Sequence, residues 1–89
     1  MADTYDVDVK VISVKGTCSK HRVGDAFFIS KTTPEGICLS AFNSLLPDLR
    51  VLRLGGTLPW SEDPDTAVVG CPDPENLVVF ELRRKRNKP

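Results

Sequence analysis

The apolar residues of this chain repeat with two different periods in separate segments, and that division limits the folds open to it. Val7, Val9 and Val11 alternate with Asp6, Asp8 and Lys10, the period-two pattern of a half-buried strand. The phase slips at Val11-Ile12, which predicts a β-bulge there. Cys38, Ala41, Phe42, Leu45, Leu46 and Leu49 instead fall at i, i+3, i+4, i+7, i+8 and i+11, one face of a helix. Ala26-Phe27-Phe28-Ile29, residues 66–69 and residues 77–82 read as further strands. Pro47 lacks an N–H and clashes with the preceding turn. The expected helical region is therefore one helix to about Leu46 and a second, short one from Pro47, ended by Gly55-Gly56. The resulting order ββααββ predicts an α+β fold: a small antiparallel sheet of about four strands with its helices packed on one face.

At 89 residues the chain is one domain, expected over residues 1–82, with residues 83–89 a basic, frayed tail. A chain of this length buries only ~60–65% of its unfolded surface, so a metal staple would add useful folding free energy. Formal net charge is zero, which argues against a dedicated nucleic-acid binder; the basic tail reads as a solvated terminus in preference to a localisation patch. No apolar run is long enough to span a membrane. The acidic N-terminus lacks the apolar stretch of a secretory signal, and the cysteine count is odd. Together these predict a reducing, cytoplasmic setting in which metal binding or thiol chemistry is favoured over disulfides.

The chemistry-bearing residues are few. The chain has three cysteines and one histidine: Cys18-x2-His21, Cys38 and Cys71. Each Cys follows a glycine by one or two residues, which places it near the end of an element. Three thiolates and one imidazole make up a tetrahedral Cys3His shell, and Cys18-x2-His21 has the short spacing of a metal knuckle. Zinc is the default ion; iron or an iron–sulfur cluster ranks below it, because no clustered cysteine run is present. Two other readings stand beside the metal site. Cys38 lies on the apolar helical stripe, where a free cysteine is often simply core. Alternatively, Cys38 at a helix start is a candidate catalytic thiol of a small enzyme, beside an apolar pocket lined by Phe42, Trp60 and Phe80. No Cys-x-x-Cys occurs, so a thioredoxin-like dithiol mechanism is disfavoured. The acidic residues between the prolines read as turn formers, and Gly55-Gly56 lacks the remainder of a phosphate-binding motif.

Several segments together resemble a family of small uncharacterised microbial proteins of about this length. The carrying residues are Cys18 with His21-Arg22-Val23-Gly24-Asp25, Gly36-Ile37-Cys38 with Ala41-Phe42, Gly55-Gly56, Pro59-Trp60, and Cys71-Pro72-Asp73-Pro74-Glu75-Asn76. The family pattern commonly has Gly before the His and Pro after the second Cys; here Lys20 and Leu39 occupy those places. The resemblance implies the three Cys and the His as a set. No activity is assigned to the family, so substrate and partner stay open.

Overall fold

The computed structural model describes residues 4–85. Its elements run β1 (Val7–Val14), β2 (Ala26–Ile29), α1 (Leu39–Arg53), β3 (Thr66–Gly70) and β4 (Val78–Arg84). The strands form one sheet in the order β2-β1-β4-β3, and every pairing is antiparallel. The α+β expectation holds, but the order is ββαββ. The single helix carries the chain from one sheet edge to the other, lying against β3, β4 and β1.

Alternation sets which face is covered. Val7, Val9 and Val11 of β1 are fully buried, as are Phe80 and Leu82 of β4. The registers Val9↔Leu82 and Val11↔Phe80 place them side by side on the inner face. Ile29 from β2 and Ala67 from β3 extend this layer to both edges. The bulge is where the phase slip predicts it: Val11 pairs with Phe80 and Ser13 with Val79, leaving Ile12 as the extra residue.

Pro47 lies inside α1 and does not divide it, which corrects the expectation of two helices. Ala41, Leu45, Leu49 and Leu52 form a buried stripe that continues straight across the proline. Burial stabilises by about 1.5–3 kcal/mol for each large apolar side chain. An interior proline costs about 3 kcal/mol. Several buried leucines therefore outweigh it. Pro47 and Asn43 are both exposed, so water can reach the Asn43 carbonyl that loses its intrahelical donor. The helix ends as Gly55-Gly56 predicts. Gly55 has φ +87°, its N–H donates to the Leu52 carbonyl (3.2 Å), and the Gly56 N–H donates to the Val51 carbonyl (2.8 Å). These two bonds make a Schellman cap.

The inner face also carries charge. β4 continues through Arg84, whose side chain is buried, so residues 83–85 are not a frayed tail; residues 86–89 lie outside the described residues. The Arg84 guanidinium donates to the carbonyls of Leu52 (3.0 Å), Gly56 (2.7 Å) and Pro64 (2.7 Å), and to Asp65 Oδ1 (3.0 Å). A cation over the last helical carbonyls also complements the helix dipole. Among the described residues, no helix is long and apolar enough to cross a membrane.

Candidate functional site

Three loops meet beside the N-terminal end of α1, and each brings one cysteine. The loop after β1 carries Cys18 and is docked on the β3–β4 turn. Lys15 N–H donates to the Leu77 carbonyl (2.8 Å), and Thr17 N–H donates to Asn76 Oδ1 (2.9 Å). Gly16 makes this approach possible. Its φ is +74°, and a Cβ there would stand 2.6 Å from both Asn76 Oδ1 and the Glu75 carbonyl.

The β3–β4 turn holds Cys71. Asp73 Oδ1 accepts the N–H groups of Glu75 (3.0 Å) and Asn76 (3.1 Å), closing an Asx-type turn. Those backbone bonds lower the Asp73 pKa. Cys71 pairs with Val78 through its own N–H (2.9 Å), while Val78 N–H donates to Cys71 Sγ (3.3 Å). The sulfur is thereby oriented by backbone.

Cys38 is the N-cap of α1, as its position at the head of the stripe suggests, but its side chain makes no capping bond. Its backbone N–H donates to His21 Nε2 at 3.1 Å. His21 is only 3% exposed, and its ring meets Phe27 and Phe80 edge-on, with centroids 5.6 and 5.5 Å away. A neutral ring that accepts at Nε2 carries its proton on Nδ1. That buried nitrogen has no hydrogen-bond partner among the described residues and stands 3.7 Å from Asp25 Oδ2.

Cys18, Cys38 and Cys71, 20 and 33 positions apart in the chain, all line one open groove of about 570 Å³. Thr17, Ser19, Ser40 and Asn76 add polar groups to its wall, and Asp73 adds a carboxylate. All three cysteines are free and half-buried, packed against the core edge. The groove does not include His21, whose Nε2 is already engaged by the Cys38 N–H. Among the described residues, no three His, Cys, Asp or Glu side chains stand in an arrangement ready to hold a metal ion. The three cysteines thus border one groove without forming a closed shell of donors.

The sequence-predicted aromatic pocket does not form. Phe80 is wholly buried in the core, Trp60 is 72% exposed, and Phe42 lines a separate groove. An unbroken Val78-Phe80-Leu82-Arg84 alternation was the available sequence signal for the buried arginine. His21 in a polar loop gave no comparable signal for burial. Comparison of the chain with family models, curated proteins and solved structures finds no match.

Proposed function

We propose that this protein is a small metal-binding module, accessory or structural in role, whose three cysteines take a thiophilic ion, zinc by default, in the groove beside the start of α1. The observation that carries this reading is that three thiols from three separate loops line one groove. With Zn–S bonds of ~2.3 Å, a shared ion requires the three thiols to draw together, and the Cys71 Sγ to release the Val78 N–H. His21, the fourth ligand of the expected Cys3His shell, would first have to release the Cys38 N–H. Three thiolates are therefore the chain's own contribution, and the fourth position is left for solvent or an incoming ligand, which favours the accessory role over the structural one. Binding releases the thiol protons, so affinity rises with pH.

The test is elemental analysis of purified protein together with zinc titration against a chromophoric chelator, with thiol alkylation followed by mass spectrometry. The reading predicts one ion per chain and protection of all three cysteines when zinc is present. A folded, metal-free protein whose cysteines alkylate at the same rates with and without zinc contradicts it. A second reading, a small enzyme with Cys38 as nucleophile, is favoured by one observation: Cys38 borders a second groove, of about 430 Å³, as well as the first. Fast alkylation confined to Cys38 and insensitive to zinc would select that reading.

A further inference from the structure

A third groove, with no cysteine in its lining, has a different chemistry. It has a volume of about 240 Å³ and runs between α1 and the segment that leaves β2. Three cations line it, Lys31, Arg50 and Arg53, and no acidic residue does. Its remaining helical wall is Phe42, Leu46 and Leu49, which share that side of α1 with the two arginines through i, i+3 and i+4 spacing.

Ordinary folding explains part of this. Arg50 and Arg53 sit in the last helical turn, where cations complement the dipole. The dipole does not account for Lys31, which comes from another segment, or for Leu46, which is 40% exposed beside the charges. It also leaves Arg53 Nε buried with no hydrogen-bond partner among the described residues. Buried donors are normally satisfied. None of the three cations forms an ion pair among the described residues, a property they share with Lys10, Lys15, Lys20 and Arg22 but not with Arg83, Arg84 and Lys85. What sets this groove apart is its lining: three cations and no acid beside apolar residues, in a chain of formal net charge zero.

We propose that this groove binds a small organic anion: a carboxylate or phosphate monoester head held by Lys31, Arg50 and Arg53, with a compact apolar body against Phe42, Leu46 and Leu49. A planar guanidinium fork suits either head group, and the volume suits a single ring or a short alkyl chain. Site and ligand class are independent of any metal at the cysteines.

The test is titration of the full chain with phenyl phosphate and, separately, benzoate, read by amide NMR shifts and calorimetry. Inorganic phosphate and benzyl alcohol supply the head alone and an uncharged body. Saturable shifts confined to residues 29–33 and 42–53 are expected with one or both aryl anions, and the tighter of the two identifies the head. Each control should bind on the order of tenfold more weakly or worse, the size of losing one good charge-assisted or apolar contact. The double variant Lys31→Gln/Arg50→Gln changes only exposed side chains, so it should stay folded and melt within several degrees of wild type, the small loss being the helix-end cation, while losing about tenfold or more in affinity. No saturable shift with either aryl anion overturns the proposal. So does inorganic phosphate binding as tightly as phenyl phosphate, or a double variant that binds as wild type does.

Discussion

At the scale of single residues, His21 and Cys38 exchange the roles that residue type suggests. His21 looks like a loop ligand and is a buried acceptor between two aromatic rings. Cys38 looks like a core residue and is a half-buried N-cap without a capping bond. The consequence is an order of stabilities in metal-free protein. His21→Ala removes the acceptor of the Cys38 N–H and opens a cavity beside Phe27 and Phe80, at a cost of roughly 2–4 kcal/mol. Cys38→Ser puts a preferred capping hydroxyl at the helix start, worth up to about 1 kcal/mol, in a place that is not sealed from water. Urea melts with chelator present should therefore rank Cys38→Ser at or above wild type and His21→Ala well below it. The reverse ranking would mean that Cys38 is a core residue and that the His21 bond contributes little.

At the scale of elements, α1 is clipped to the sheet at both ends by a buried polar side chain. His21 takes the N–H at its start, and Arg84 takes carbonyls at its end. Two positions in this helix are far from their best residue, in opposite senses. Pro47→Ala restores a donor at an exposed site and should raise stability, by up to ~3 kcal/mol less the entropy the unfolded chain regains. Gly55→Ala forces an L residue to φ +87° and should cost about 1–2 kcal/mol, although the added methyl meets Tyr5 only at ordinary contact distance, 3.6 Å. Thermal melts of the two variants check both signs; a stabilised Gly55→Ala would contradict the cap described here.

This contrast also marks how far the sequence could be read. The strands, the bulge at Val11-Ile12, the helix start at Cys38 and its end at Gly55-Gly56 are local patterns, and local patterns are written in neighbouring residues. The single helix was hidden because the proline penalty is local, while the burial that offsets it comes from the sheet. Arg84 was hidden in a run of basic residues that reads as a solvated tail, although it keeps the inward phase of Phe80 and Leu82. The three cysteines could be singled out by type. Their meeting at one groove depends on Gly16, Asp73 and Asn76 docking two distant loops, which spacing along the chain does not encode.

At the scale of the whole molecule, the docked loops give stability a dependence on acid. Asp73 is held below the usual carboxylate range by the N–H groups of Asn76 and Glu75, and Asp63 by the Asp65 N–H, the Thr66 hydroxyl and Arg83. A folded pKa below the unfolded value means that the unfolded chain binds more protons, so this stability is present above the unfolded pKa of about 3.9 and is lost as pH falls through the folded values. Asp48 works in the opposite sense, since burial raises its pKa. Urea melts from neutral pH downward should show stability falling below about pH 4, with a shallower fall in Asp63→Asn/Asp73→Asn. An acid limb identical in wild type and the double variant would contradict the assignment. Because Asp73 closes the turn that carries Cys71, the same acid range should loosen the groove.

The central claim is that three cysteines from three loops act together on one ion. Cobalt(II) titration of reduced protein, read by thiolate-to-cobalt charge-transfer absorption, tests it most directly, since the band arises only from bound sulfur. Absorption that saturates at one cobalt per chain, is displaced by zinc, and falls in each of Cys18→Ser, Cys38→Ser and Cys71→Ser is the predicted result. No charge-transfer band in the wild-type protein, or a band that one of the three substitutions leaves unchanged, would contradict it.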